Sequence, residues 1–336
     1  MKIKSQNEWS TLKTCIVGDA THARFPTQDS YFSLHKKITR WHETEMIYGT
    51  FPDEVISQAN RDLENLAETL QRLGVEILRP ESRNFANTTS THDWTTDGFM
   101  NYCPRDVLLI IDDLVIECPM SLRSRQDEAW SYNYLRQSHI AQGGRWISAP
   151  RPRLLEKDIK IHDGKIVLGE TEPIFDAANI LRLDNDILYL VSSSGNRLGA
   201  QWLQNILGDS YQVHILDNLY ASTHIDTTIT VIRPGLVVLN GERVNEQNCP
   251  EIFHNWDKIW VNDMVPGPFW HYPYGSKWMG LNMLSVNPEL VICDQEQTDL
   301  IEQLQNKKIS VIPLPMSHAR TLGGGFHCVT LDLLRE

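Results

Sequence analysis

Residues 53–79, DEVISQANRDLENLAETLQRLGVEILR, decide how the chain is built. Val55, Ile56, Ala59, Leu63, Leu66, Ala67, Leu70 and Leu73 recur at helical spacing and share one face, and Gly74 supplies the stop. A short strand, VEILR, follows at once. The same helix-then-strand phrase returns at 198–216, LGAQWLQNILGDSYQVHIL, with Gly208 at its turn, and at 298–314, TDLIEQLQNKKISVIPL. The repeat is one of architecture, not of letters.

Short β-rich runs lie between these phrases, among them TCIVG, DILYLVSS, GLVVLNGER, DKIWVN, ELVICD and FHCVTLDLL. VLLII and LVIEC read as a hairpin about Asp112 and Asp113, so strands and helices do not simply alternate. The expected fold is α/β, built of repeated ββαβ units that pack each on the next as a ring, with the site on the axis. No Pro/Gly/Ser-rich linker divides the chain, so one domain over 1–336 is expected. The stretch 28–52 fits no repeat and is rich in aromatics and charge. It reads as a packing extension or a lid.

The 336 residues are 41% apolar and 22% charged, as in an ordinary globular protein, and the net charge of -12 argues against a nucleic-acid partner. MKIKSQNEWSTLK has no apolar run behind its charges, and no window approaches the roughly 18 apolar residues of a spanning helix. The expectation is a soluble, cytoplasmic protein with no membrane partner. Cys15, Cys103, Cys118, Cys249, Cys293 and Cys328 show no CxxC spacing and read as reduced thiols, of which one or two at most do chemistry.

Cys328 stands in RTLGGGFHCVTLDLL, 320–334, where three glycines permit unusual dihedrals and close approach of a substrate. Read as strand, FHC places His327 and Cys328 on opposite faces. In ASTHIDTTITV, 221–231, strand alternation puts His224 and Asp226 on one face. Asp176, in EPIFDAANILRL, sits among apolar neighbours and needs a partner such as an imidazole. Asp106, in CPRDVLLI, precedes a buried-looking strand. Singly each has a plain alternative: a small core thiol, a surface pair, a turn residue. Together they suit chemistry on a guanidinium, with carboxylates to hold a planar cation and a thiolate to attack its carbon.

PRD, RSR (Arg123 to Arg125), FDAAN, HID and LGGGFHC occur here in that order, with 48 residues from Asp176 to His224 and 104 from His224 to Cys328. This set resembles the amidinotransferases from about Asn101 onward. The resemblance implies a five-bladed α/β propeller, the pentein fold. It implies Cys328 as nucleophile, His224 as general acid and base, and Asp176 as the partner that orients it. Asp106 and Asp226 match positions that grip the guanidinium, and Arg243 (NGERV) and Ser276 (YGSKW) match those that bind the donor's α-carboxylate.

The implied reaction is a ping-pong transfer of the amidino group of L-arginine to an amine, releasing ornithine, with no metal or organic cofactor and a possible homodimer. Glycine-specific relatives carry a methionine before the His of HID, where this chain has Thr223, so a larger amine or natural-product intermediate is expected as acceptor. Two alternatives stay open: a guanidine hydrolase with water as acceptor, and a non-catalytic metal-binding protein.

Overall fold

A computed structural model describes residues 2–29, 32–34, 48–266 and 274–336. Its described residues hold five three-stranded sheets of one connectivity: two antiparallel strands, then a third strand parallel to the middle one. Four are sequential: Leu108–Ile111, Leu114–Glu117 and Arg145–Ser148; Ile180–Leu183, Asp186–Leu190 and Gln212–Leu216; Ile229–Arg233, Leu236–Asn240 and Asp257–Val261; Leu284–Asn287, Leu290–Asp294 and Ser310–Leu314. The remaining sheet joins distant parts of the sequence: Thr330–Arg335 runs antiparallel to Leu12–Val17, which lies parallel to Glu76–Leu78.

A parallel neighbour needs a long crossover. Helices Asp53–Arg72, Asn133–Ala141, Arg197–Leu207 and Thr298–Asn306 supply four of them. The first is long and strongly one-sided, burying Val55, Ala59, Leu63, Leu66 and Leu70. The sequence reading missed Asn133–Ala141 because its inward face is thin: only Leu135 and His139 are buried. The fifth crossover carries the short 3-10 turn Glu251–Phe253 instead, so the ββαβ phrase is incomplete there.

The first strand of each sheet is buried nearly throughout, so it shows little period-two alternation. Four are entered through 3-10 turns: Pro104–Asp106, Ala177–Asn179, Ile225–Thr227 and Lys277–Leu281. The fifth, Thr330–Arg335, follows a turn closed by Thr330 N–H donating to the His327 carbonyl at 3.2 Å. Successive turns touch one another, which gathers their side chains at one place. A helix with three residues per turn spends few residues on reversing the chain.

This arrangement corrects two strand readings. Phe326–Val329 and Ile225–Thr227 are turns, and their strands start at Thr330 and Ile229.

Between the strands lies a buried ionic cluster. Arg182 reaches Glu8 Oε1 at 2.9 Å, Asp332 Oδ2 at 2.7 Å, Ser5 Oγ at 3.0 Å and the Ile110 carbonyl at 3.0 Å. Arg105 also pairs with Asp332, and Arg335 Nε reaches Asp332 Oδ2 at 2.8 Å.

Of the stretch 28–52, Phe32 packs on Phe25 with centroids 5.0 Å apart, and Gly49–Thr50 pairs with Arg24–Phe25. Residues 30, 31 and 35–47 lie outside the described residues, so the lid or extension reading is carried no further. Among the described residues no helix is long and apolar enough to cross a membrane.

Candidate active site

The entry turns converge on a cleft of about 1010 Å³ whose walls include Asp106, Asp176, His224, Asp226, Ser276 and Cys328. Each turn delivers its side chain from a different sheet: Asp106 closes the first turn, Asp176 and His224 precede the second and third, and Asp226 sits within the third. His224 and Asp226 therefore meet in one cleft through a turn, where the sequence reading invoked strand alternation.

Asp176 is buried and fully engaged. Its Oδ1 accepts the Ser121 N–H at 2.8 Å, and its Oδ2 lies 3.0 Å from His224 Nε2 and 3.3 Å from Ser121 Oγ. Burial pushes its carboxyl up, but the His224 hydrogen bond and charge outweigh that and hold it below the ordinary value. His224 Nδ1 faces Asp106 Oδ1 at 3.7 Å. Burial disfavours the imidazolium, yet the Asp106 charge and the Asp176 hydrogen bond raise His224 well above its ordinary value.

Cys328 is 2% exposed. Its N–H donates to Asn282 Oδ1 at 2.9 Å, and its Sγ lies 3.1 Å from Asn282 Nδ2 and 3.2 Å from Asp226 Oδ2. A hydrogen bond with the Cys103 thiol, burial and the Asp226 charge together push the Cys328 thiol well up, against the pull of His224. Burial pushes the Asp226 carboxyl up, but hydrogen bonding and charge from His327 pull it below the ordinary value.

Two carboxylate oxygens are left over. Asp106 Oδ2 is taken by Arg125 at 2.7 Å and Asp226 Oδ2 by its neighbours, while Oδ1 of each is buried without a hydrogen bond. Arg243 donates to Thr227 O at 3.0 Å, to the hydroxyls of Thr227 and Thr228 at 2.9 Å and to Ser276 Oγ at 3.3 Å. Its guanidinium lies 3.6 Å from the Tyr220 ring centroid. Arg243 thus meets the cleft wall through Ser276 and Thr227.

Comparison with known proteins gives a consistent picture. The inosamine-phosphate amidinotransferase 1 of Streptomyces griseus is 45% identical over 337 residues, spanning 99% of this chain and 97% of that protein. The L-arginine:L-lysine amidinotransferase of Pseudomonas savastanoi pv. phaseolicola is 33% identical, over 99% and 94%. The mitochondrial glycine amidinotransferase of Gallus gallus is 32% identical, over 99% and 82%. The chain belongs to the amidinotransferase family.

No family model matches this amidinotransferase. Its structure superposes on the inosamine-phosphate amidinotransferase of Streptomyces griseus with a TM-score of 0.94 at 44% identity, covering 99% of this chain and 97% of that one. The saxitoxin-pathway amidinotransferase SxtG of Microseira wollei gives 0.90 at 31%, with the same coverages. DDAH from Pseudomonas aeruginosa gives 0.61 at 14%, over 96% and 99%, a likeness of fold alone. The fold is the α/β pentein fold.

The sequence assigned no role to four residues of this amidinotransferase's site: Asn282, Cys103, Arg125 and His327. Asn282 and Cys103 sit in ordinary-looking runs and gave no signal. Arg125 stood in the RSR motif, but its ion pairs with Asp106 and Glu128, 2.7 and 2.9 Å, are tertiary. His327 was expected on the far face by strand alternation. It occupies a turn instead, and its Nδ1 lies 3.0 Å from Asp226 Oδ2.

Proposed function

We propose that this enzyme transfers the amidino group of L-arginine to an amine through a covalent amidino-cysteine on Cys328, releasing ornithine. The observation that carries this reading is that Asp106 and Asp226 line the cleft together with Cys328, and that Oδ1 of each is buried without a hydrogen bond, Asp106 Oδ1 lying 3.7 Å from His224 Nδ1. Buried acceptors without donors are costly, and a planar guanidinium offers N–H groups to both.

In the resting site His224 is cationic and Cys328 is a thiol, in keeping with their raised values. A bound guanidinium adds positive charge beside Sγ and favours the thiolate. Sulfur then forms a bond to the guanidinium carbon, the bond from that carbon to the ornithine nitrogen breaks, and His224 gives the departing nitrogen its proton. The thiol's own proton leaves with ornithine, whose amine departs as an ammonium, and His224 is left neutral to serve the second half-reaction. A cationic amidino-thioether remains, held by Asp106 and Asp226. The acceptor amine loses a proton toward His224 and attacks the same carbon. The carbon–sulfur bond breaks and the thiolate returns. Asp176 keeps the imidazole in place throughout. Arg243 and Ser276 receive the α-carboxylate of arginine, since every hydrogen bond of Arg243 given above ends on a neutral oxygen.

The acceptor is an amine larger than glycine. Phe25, Phe32, Phe99, Tyr220 and Tyr274 wall the cleft together with the small Ser222 and Thr223, leaving apolar room beyond the reacting carbon. The five three-stranded sheets are the five blades of a propeller, and residues 1–336 form a single domain around its axis.

Intact-mass measurement after mixing with arginine tests the donor half. An amidine adduct and free ornithine are expected, and both vanish in Cys328→Ala. No adduct and no ornithine would refute the reading. Glycine turning over as fast as any larger amine would sink the acceptor assignment, and citrulline or urea formed without an amine would make water the acceptor.

A further inference from the structure

His327 is buried, 7% exposed, and neither of its ring nitrogens is free. Nδ1 lies 3.0 Å from Asp226 Oδ2 and Nε2 lies 3.2 Å from Glu8 Oε2. Glu8 cannot turn away. Its Oε1 accepts the backbone N–H of Arg182 at 3.1 Å and Arg182 Nε at 2.9 Å, while its Oε2 accepts Arg182 Nη2 at 3.0 Å.

Asp226 Oδ2 is thus doubly occupied, by His327 Nδ1 and by Cys328 Sγ at 3.2 Å, while Oδ1 stays empty. A carboxylate can exchange its two oxygens by rotating about the Cβ–Cγ bond. The two contacts at Oδ2 oppose that exchange and leave Oδ1 available to a ligand.

We propose that His327, braced from behind by Glu8, is a positioning residue that locks Asp226 in its guanidinium-binding orientation. It touches no reacting atom and acts through Asp226. The inference rests on the reading of Asp226 as a ligand of the arginine guanidinium.

Three substitutions separate positioning from bulk stability. His327→Asn puts an amide N–H where Nδ1 stood and gives up Glu8. His327→Gln reaches toward Glu8 and gives up Asp226. His327→Ala gives up both. The readouts are the rate of Cys328 adduct formation against arginine concentration, and the melting temperature.

Ala and Gln are expected to lose about tenfold or more, chiefly as a higher half-saturating arginine concentration, while Asn stays within about threefold. All three are expected to melt lower than the parent. Rates that fall alike in all three, in step with melting temperature, overturn the proposal, and so does an Ala variant at the parent rate. If the unsubstituted enzyme forms no adduct at all, the arginine-donor reading falls and this inference with it. Equal adduct formation in every variant overturns this inference alone.

Discussion

Asn282 meets Cys328 at both of the cysteine's polar atoms, accepting from its N–H and donating to its Sγ. Asn282→Ala strands a buried N–H, and a loss of about 1–3 kcal/mol in denaturant unfolding is expected, together with slower adduct formation. Asp176 brings a pH dependence. Its folded value is held below 3.8, so its contribution is present above 3.8 and lost as pH falls through the lower folded value. His224 is the reverse: raised well above 6.5, its contribution is complete below 6.5 and lost as pH rises through the higher folded value. The stability gap between the parent and Asp176→Asn, followed by denaturant unfolding, should hold constant between 3.8 and 6.5 and shrink only in stronger acid. Cys328, His224, Asp176, Asp106 and Asp226 were legible because reactive or charged groups stood at the start of apolar runs. Asn282 and Cys103 were not, since an amide or a thiol in such a run carries no mark of what faces it across the fold.

The glycine loop shows what an element does that its residues do not announce. Gly323 ends the short helix Ala319–Leu322 in the left-handed region, at φ 80°, with open space where a Cβ would go. A Cβ on Gly324 would stand 2.5 Å from Cys103 Sγ and 2.8 Å from Cys328 Cβ, and one on Gly325 would stand 2.8 Å from Asn282 Cβ. The glycines were expected to clear room for a substrate. The nearest groups at Gly324 are Cys103 and Cys328, and the nearest at Gly325 is Asn282, which holds Cys328. Gly323→Ala is therefore expected to cost about 1–2 kcal/mol of stability and leave the adduct rate nearly intact. Gly324→Ala should displace Cys328 and slow adduct formation by roughly tenfold or more, a loss that stability does not explain. Helix Asp53–Arg72 announced itself by its apolar stripe. The entry turns did not, because an all-buried strand gives no period to mark where it begins.

Across the whole molecule, Arg182 ties Glu8, Ser5, Ile110 and Asp332 together from three separate parts of the chain. Arg182→Met would take a partner from two buried carboxylates, Glu8 and Asp332, and a loss of about 3–5 kcal/mol is expected in denaturant unfolding. Burial opposes the ionised Asp332, but Arg105, Arg182 and Arg335 hold it well below 3.8. The cluster's contribution is thus present above 3.8 and fades only far below it. The gap between Arg182→Met and the parent should therefore persist through mild acid. The ring of repeated units was visible in the recurring helix-then-strand phrase, whereas the sheet made from both ends of the sequence was not, since its pairing leaves no local trace. That sheet also sets a timetable. Leu12–Val17 emerges from the ribosome early, and its antiparallel partner Thr330–Arg335 arrives almost the whole chain later. At ordinary translation speeds the interval is on the order of 15–60 s, during which the nascent strand carries an unpaired edge. Cys328 arrives in that same late installment, and until then the edge of the early strand is open to pairing elsewhere.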